Sequence, residues 1–331
     1  MVTSRDVASF AGVSQATVSR VLRETGEVSE STRQKVLSAV QAVGYVPNSQ
    51  ARAMKTGLSG NIGVVVSDLA NPFYPRLLEA VDRAVRDRGQ RLTTWIADSR
   101  GNQGALDAMR EGAVDGVMFT TAVEDSPELR TALELRSPVV LLNRAPAGLA
   151  CDQVQTDNFR GGELVADHFV AGGHRDIGFI GGVEYAETFR SRLAGFRSRL
   201  STHGIVLDAS RVRHRDSSYD DGFEAATDVL TLHPEISALF CGNDVLATGA
   251  VDAARELGRE VGVTIHIVGF DDVPIASWQS YRLTTVRQDI DQMATWAVDR
   301  LVHRVKNRDE PAVRHIIDPV LVLRDSAPAA R

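Results

Sequence analysis

The fold of the amino-terminal end is decided by AGVSQATVSRVL, residues 11–22. Gly12 can adopt a left-handed backbone conformation without a steric penalty, so it favours a tight turn. Ser14 is a good N-cap, and it precedes a short stretch with helical spacing. The apolar side of that stretch consists of Val18, Val21 and Leu22. The pattern predicts a turn followed by a helix over residues 15–22.

Two further helices are predicted on either side of this turn and helix. Thr3 can cap a first helix, because Asp6 follows it at the spacing of a capping box. A third helix is predicted over residues 31–43, ending at Gly44, since glycine is common just after helix C-termini. Its buried side is expected to contain Val36, Leu37, Val40 and Val43. Two helices joined by a glycine turn and braced by a third form a helix-turn-helix.

The outward side of the second helix carries side chains that suit DNA. Arg20 can donate two hydrogen bonds to a guanine edge, Gln15 can pair with adenine, and Ala16 can contact a thymine methyl group. Thr17, Ser19 and the helix N-terminus can hold phosphates. Charge favours the same interpretation, since the first 60 residues carry seven Lys and Arg against four Asp and Glu, and the rest carry 30 against 39. A small helical domain with a polar face is the alternative.

The amino-terminal motifs, taken in order, resemble one family. They are SRDVA at 4–8, AGVSQATVSRVL at 11–22, VS at 28–29, GY at 44–45, PN at 47–48 and AR at 51–52. The sequence resembles the LacI/GalR family of transcriptional regulators, and the resemblance extends to about Arg324. The domains it implies are a helix-turn-helix domain at 1–46, a hinge helix and linker at 47–60, and an effector-binding and dimerisation body at 61–331.

The resemblance also implies how the protein contacts double-stranded operator DNA. In the family, a hinge helix from each of two protomers inserts an apolar wedge into the minor groove of a palindromic site. This chain has Met54 where the family usually has leucine. The DNA-binding residues implied are Ser4, Ser14, Gln15, Ala16, Thr17, Ser19, Arg20, Asn48, Ala51, Arg52, Met54 and Lys55.

The sequence pattern changes after residue 60. Apolar runs of strand length alternate with segments of helical spacing over residues 62–142 and again over 177–268. Continuous apolar strands separated by helices are typical of parallel sheets covered on both faces. The predicted fold class is α/β, with a small all-α head and a two-lobed parallel body like that of periplasmic binding proteins. The family resemblance implies that the lobes are residues 61–159 with 290–318, and residues 160–288 with 319–325.

Ligands of such sheets bind beyond the carboxyl ends of the strands, which here means the cleft between the lobes. Polar and aromatic residues stand at these positions, and the resemblance assigns them to effector contact. The candidate effector-binding residues are Asn71, Phe73, Tyr74, Asn143, Arg144, Arg192, Asn243, Asp271, Trp278 and Gln288. Amides, a carboxylate and an arginine beside an aromatic face suit a sugar or a sugar derivative.

Several of these candidates also have a plainer interpretation. Asn71 can simply belong to a turn, and Arg192 can be a surface charge on a helix. Asp244 can cap the helix that follows it, which ranks it below Asn243 as a ligand contact. Trp278 can either stack on a ligand or close the edge of the cleft.

The sequence shows no motif for catalysis, for a metal site or for a cofactor. His168 and His174 lack the spacing of metal ligands and are expected to be structural or on the surface. Cys151 and Cys241 form no CxxC pattern, which suits two buried thiols in a cytoplasmic protein. The 331 residues show no signal segment and no apolar stretch long enough to cross a membrane.

These features favour a transcriptional repressor that acts as a homodimer, binds a palindromic operator and responds to a small sugar-like effector. The effector can act as an inducer or as a corepressor, and the sequence leaves both open. A sugar-binding receptor without a DNA function is the competing class, because it would share the body. Such a receptor would have a signal peptide and no basic head, and this sequence shows the reverse.

Overall fold

The structure is a computed structural model of the chain. It describes residues 2–23, 27–45, 57–97, 102–122, 126–135, 137–144, 146 and 148–329. The chain divides into two compact units, residues 1–59 and 60–331. No helix in the described part of the chain is long and apolar enough to span a membrane.

The described residues of the first unit form short helices with clear local boundaries. These helices are α1 Ser4–Ala11, α2 Gln15–Arg23 and α3 Glu30–Val43. Thr3 caps α1 and forms the predicted capping box with Asp6. Gly12 and Gly44 follow α1 and α3 with left-handed φ angles of 64° and 63°. The turn and both glycine stops therefore arise from the signals that the sequence contains.

A small apolar core holds these helices together. Val7 from α1, Val18 from α2 and Val36 from α3 are completely buried. The prediction for α3 is wrong at Leu37, which is 40% exposed, while Ala39 is buried. Positions 36, 39, 40 and 43 share one helix face, and each successive residue turns by about 100°, so position 37 points away from that face.

The second unit alternates strands and helices. Its strands are β1 Asn61–Val66, β2 Arg91–Ile96, β3 Gly116–Phe119, β4 Val139–Leu142, β5 Asp152–Thr156, β6 Ile177–Gly181, β7 Val212–His214, β8 Ala238–Cys241, β9 His266–Asp271, β10 Thr284–Arg287, β11 Arg314–Ile317 and β12 Val320–Val322. Its helices are α4 Phe73–Asp87, α5 Gln103–Arg110, α6 Pro127–Glu134, α7 Asn158–Ala171, α8 Glu187–Thr202, α9 Tyr219–Leu232, α10 Asp244–Glu256 and α11 Ile290–Lys306, with 3-10 turns at Ala209–Arg211 and Pro274–Ser277.

The described strands form two six-stranded sheets. The first has the order β11-β5-β4-β3-β1-β2 and the second β12-β10-β9-β8-β6-β7. Every pair in the first sheet is parallel. The predicted parallel arrangement also holds in the second sheet, except that its edge strand β12 runs antiparallel to β10. Only two residues separate β11 from β12. Strand β12 therefore starts near the carboxyl end of β11 and runs against the direction of the strands in the second sheet.

Within the described residues, the chain passes between the two sheets three times. The passages follow β5, β10 and β11. Helix α11 comes after the strands of the second sheet, but it packs on α4 and on strands β3, β4 and β5 of the first. We call the first sheet with α4, α5, α6 and α11 the first lobe, and the second sheet with α7 to α10 the second lobe. Loops at the carboxyl ends of strands from both lobes meet in one cleft.

Apolar side chains cover both faces of the first sheet. Val64 of β1 belongs to a core shared with α4 and α11. Its neighbour Val65 belongs to a core shared with α5 and α6 on the opposite face. Because successive strand residues point to opposite faces, a strand buried on both sides needs a continuous apolar run.

A buried ion pair connects α11 to the first sheet. Asp152 at the start of β5 is completely buried, and it accepts hydrogen bonds from Nε and Nη2 of Arg304 at 2.9 and 2.8 Å. Arg300, one helical turn earlier, places its Nε 3.0 Å from Oδ1 of Asp152. The carboxylate is therefore neutralised by a helix that lies far away in the sequence.

Candidate ligand pocket and DNA-reading surface

One pocket lies in the cleft, beyond the carboxyl ends of strands from both lobes. Its lining residues are Asn71, Phe73, Tyr74, Asn143, Arg144, Thr188, Phe189, Arg192, Asn243, Asp271 and Gln288. We call it the cleft pocket. It brings together all the predicted effector residues except Trp278. The cavity has a volume of about 30 Å³, which is room for little more than one water molecule.

The first lobe contributes an aromatic wall that begins at a tight turn. Oδ1 of Asn71 accepts a hydrogen bond from the backbone N–H of Phe73 at 3.0 Å. Asn71 therefore forms a turn and also lines the pocket. Phe73 and Tyr74 start α4 and meet edge to face, with ring centroids 5.4 Å apart. Both rings are nearly buried, so their positions are fixed by packing.

A second polar group from the first lobe follows β4 directly. Asn143 has a left-handed φ of 75°, a conformation that asparagine tolerates better than most residues. Its backbone N–H donates to the carbonyl of Val154 at 3.0 Å. The side chain is buried at the pocket wall beside Arg144.

Arg192 of α8 lies at the centre of the second lobe's side of the pocket. Only 3% of this residue is exposed, so its interpretation as a surface charge is wrong. Nε donates to Oδ1 of Asn158 at 2.8 Å, and Nη1 donates to the carbonyl of Gly242 at 2.5 Å. The guanidinium carbon lies 3.6 Å from the centre of the Phe270 ring. Burial lowers the pKa of Arg192 to about 10, so the group still carries its charge at neutral pH.

Asp271 ends β9 and faces this arginine. Its Oδ1 lies 3.6 Å from Nη2 of Arg192 and accepts a hydrogen bond from Nε2 of Gln288 at 2.7 Å. Oε1 of Gln288 in turn accepts from the hydroxyl of Thr156 at 2.7 Å. Burial raises the pKa of Asp271 to about 6, although Arg192 acts in the opposite direction. The pocket thus contains a carboxylate whose charged form burial disfavours and Arg192 and Gln288 partly stabilise.

Asn243 lines the pocket, but the expected capping role of Asp244 is wrong, because Asn243 holds that position. Asn243 is the N-cap of α10, since its Oδ1 accepts from the backbone N–H of Leu246 at 2.8 Å. Asp244 lies one residue further on and is completely buried below the pocket. Its carboxylate accepts from the N–H of Val273 and from the hydroxyl of Thr285. Burial, and then the charge of Asp271, raise the pKa of Asp244 well above its ordinary value.

The sequence analysis did not predict two of the lining residues. Thr188 and Phe189 lie in the first turn of α8, one turn before Arg192. Positions three and four residues before an inward-facing arginine share its side of a helix, so the spacing could have identified both. Phe189 also places its ring 5.6 Å from the guanidinium carbon of Arg192.

Trp278 does not line the cleft pocket. It follows the short 3-10 turn after β9, and 57% of the residue is exposed. The turn itself packs toward the first lobe, because Ile275 contacts the core that contains α4. Trp278 therefore lies on the surface, directly after a turn of the second lobe that packs on the first lobe.

We call the outward side of α2 the DNA-reading surface, after its predicted role. Gln15, Ala16 and Arg20 are exposed there. Within the described residues, the guanidinium of Arg20 has no hydrogen-bond or ion-pair partner. The hydroxyls of Ser14 and Thr17 lie 2.9 Å apart, and Oγ of Ser14 also accepts from the N–H of Thr17. One hydroxyl hydrogen of that pair stays free to donate outward.

The predicted hinge contacts lie outside the described residues. They are Asn48, Ala51, Arg52, Met54 and Lys55. Within the described residues, no group of three His, Cys, Asp or Glu side chains could hold a metal ion. His168 contacts the carbonyl of Ala327 at 3.1 Å, and His174 contacts Ser237 and His266. These histidines are hydrogen-bonded parts of the second lobe, and both cysteines are buried.

Comparisons with known proteins agree with this architecture. Residues 3–48 match the model of bacterial regulatory proteins of the lacI family, and residues 166–327 match the periplasmic binding protein-like domain. The chain is 30% identical to the ribose operon repressor of Escherichia coli K12, over 99% of this chain and 100% of that protein. It is also 30% identical to the transcriptional repressor PurR of Photobacterium profundum, over 98% of each.

Solved structures show the same likeness. A lac repressor dimer bound to operator and the anti-inducer ONPF superposes with a TM-score of 0.84 at 28% identity, covering 99% of each chain. The complex of the regulator CelR with cellobiose gives a TM-score of 0.77 at 28% identity, covering 99% of this chain and 100% of that one. The chain belongs to the LacI family of bacterial regulatory proteins. It is a DNA-binding transcriptional regulator.

Proposed function

We propose that the protein is a transcriptional repressor whose affinity for a palindromic operator is controlled by a small sugar-like effector in the cleft pocket. It acts in the cytoplasm as a homodimer, because two copies of one reading helix match the two halves of a palindrome. Its role is binding and not catalysis. The proposed domains are residues 1–46 for reading DNA, 47–60 for the hinge and 61–331 for the effector.

The observation that carries the effector proposal is the buried pairing of Arg192 with Asp271 opposite the rings of Phe73 and Tyr74. Sugar hydroxyls are recognised by carboxylates, amides and arginines, and the apolar face of a sugar ring packs on aromatic side chains. Two similar proteins fit this ligand class by name, the ribose operon repressor and the CelR complex with cellobiose.

The volume of the pocket suggests how binding is coupled to the rest of the molecule. A cavity of about 30 Å³ is far smaller than the several hundred Å³ typical of ligand sites. A sugar can therefore enter only when the lobes separate. A ligand that binds one lobe arrangement better than the other shifts the population toward that arrangement.

For the DNA side, we propose that Arg20, Gln15 and Ala16 contact base edges in the major groove. The proposed phosphate contacts are Ser14, Thr17 and Ser19. Met54 supplies the apolar wedge in the minor groove, with Asn48, Ala51, Arg52 and Lys55 around it. These assignments are supported by the exposure of α2 and by the match of residues 3–48 to the family.

A thermal-shift panel of sugars, sugar phosphates, sugar acids and purines tests the effector proposal. A ligand that binds the native protein raises its melting temperature with concentration. We expect a sugar to do so for the parent protein and for Asp220→Ala, an exposed acidic control on α9. Asp271→Ala should lose the shift and keep operator binding. A shift that survives in Asp271→Ala removes Asp271 from the site, and a hit confined to purines overturns the sugar class.

A further inference from the structure

A hydrogen bond joins the reading helix to the helix before it. Nε2 of Gln15, the first residue of α2, donates to Oγ of Ser4, the first residue of α1, at 2.7 Å. Gln15 is exposed and Ser4 is half-buried. The buried contacts of Val7 and Val18 fix these two helices against each other. The hydroxyl therefore has a fixed position relative to the surface that faces DNA.

The neighbouring polar groups leave this pair undisturbed. Oδ2 of Asp6 accepts from both the backbone N–H and the hydroxyl of Thr3, each at 2.8 Å. The hydroxyls of Ser14 and Thr17 contact each other. Each of these groups already has its own partner, and the contact between Ser4 and Gln15 is a separate one.

The chemistry of the amide gives the contact a consequence. A glutamine side chain has two N–H donors and one carbonyl oxygen. Ser4 takes one N–H, which leaves the second N–H beside the oxygen. A donor next to an acceptor matches the N7 acceptor and the N6 donor of adenine. Without Ser4, the amide turns freely and presents its donor and acceptor in either order, so binding to adenine must order this side chain at an entropic cost.

We propose that Ser4 is a positioning residue that orients the amide of Gln15 so that it reads an adenine·thymine pair at one position of each operator half-site. The proposal rests on the proposed role of α2 in reading bases. It makes base selection depend on a residue of α1 that touches no base itself.

Selection from a randomised pool of double-stranded DNA tests this with the full chain. The variants are Ser4→Ala, Ser4→Thr, Gln15→Ala and the double variant Ser4→Ala/Gln15→Ala. We expect Gln15→Ala to abolish the preference for adenine·thymine at one position, and Ser4→Ala to weaken it by about tenfold. Ser4→Thr keeps the hydroxyl and should keep the preference. The double variant should match Gln15→Ala.

Three results would overturn the proposal. One is an unchanged base preference in Ser4→Ala. Another is a strictly additive double variant, which would mean that the two residues contact DNA independently. The third is an equal loss on every DNA sequence, which would make Ser4 a phosphate contact. Selection of no sequence by the parent chain would instead refute base reading as such, and the base position read by Arg20 provides an internal control in every variant.

Discussion

The reading surface and the cleft pocket use the same kinds of side chain in opposite ways. Arg20 is exposed on α2, whereas Arg192 is 3% exposed and is held by Asn158, Gly242 and Asp271. An exposed guanidinium can be removed at little cost to the fold. A buried one cannot, because its carboxylate partner would remain in the interior without compensation. Function and stability are therefore separable at the first site and joined at the second.

Removing the buried arginine should give the largest effect on stability. Arg192→Ala leaves Asp271 buried without its counter-ion, which we expect to lower the free energy of unfolding by about 3–5 kcal/mol. Chemical denaturation of the full chain measures this. Arg190→Ala is the matched control, because its exposed guanidinium contacts only a surface carbonyl, and it should change stability by less than about 0.5 kcal/mol. Equal losses in the two variants would contradict the contrast.

The pH dependence of stability should identify the buried carboxylate. The pKa of Asp271 is raised by burial to about 6, so its contribution to stability is fully present below the pKa of the unfolded carboxyl and is lost as pH rises through 6. Asp271→Asn cannot titrate. Relative to this variant, the parent protein should lose on the order of 2 kcal/mol between about pH 4 and pH 7.

The difference between the two proteins matters because it cancels the titration of other groups. Burial and neighbouring histidines lower the pKa of His174 from 6.5 to about 4. Its contribution to stability is therefore present above pH 6.5 and is lost as pH falls toward 4. This trend is present in both proteins. A difference that stays flat, or that grows in favour of the parent as pH rises, would show that pairing with Arg192 outweighs burial.

At the reading surface, the effect should appear in recognition and not in folding. Arg20→Ala should weaken operator binding by about 1–3 kcal/mol and relax one base position. Its melting temperature should stay unchanged, in contrast to Arg192→Ala. Titrations against operator and against random DNA at one salt concentration measure this. Equal weakening on both DNAs would make Arg20 a phosphate contact.

Trp278 should give the smallest effect. The side chain is 57% exposed and lies outside the pocket lining. We expect Trp278→Ala to change the free energy of unfolding by less than about 0.5 kcal/mol and to leave effector affinity unchanged. A clear loss of effector affinity in a calorimetric titration would place the indole over the ligand and restore its role as a stacking face.

The same contrast explains how much the sequence could predict. The capping box of Thr3 and Asp6 and the turn at Gly12 depend on a few neighbouring residues, so local spacing identified them. The strand ending at Asp271 was recognisable because its apolar run directly precedes an acidic residue. Leu37 was misplaced because an apolar residue next to a helix stripe looks like part of it.

Other features were invisible because their cause lies elsewhere in the chain. Strand β5 reads DQVQT and does not look apolar, yet all five residues are buried. Its Asp152 is tolerated because Arg300 and Arg304 reach it from α11. The capping role of Asn243 could have been read from its position before α10, but the buried role of Asp244 depends on Val273 and Thr285.

The late position of α11, β11 and β12 in the chain has a consequence for how the protein is made. The first lobe needs α11 and β11, and the second needs β12 together with Ser326, whose hydroxyl donates to the carbonyl of Ile267 at 2.6 Å. Neither lobe is complete on the ribosome until the last part of the chain has emerged. The helices of the first unit span only residues 4–43 and make local contacts, which form quickly. During synthesis, the helices of the first unit can therefore fold before either lobe is complete.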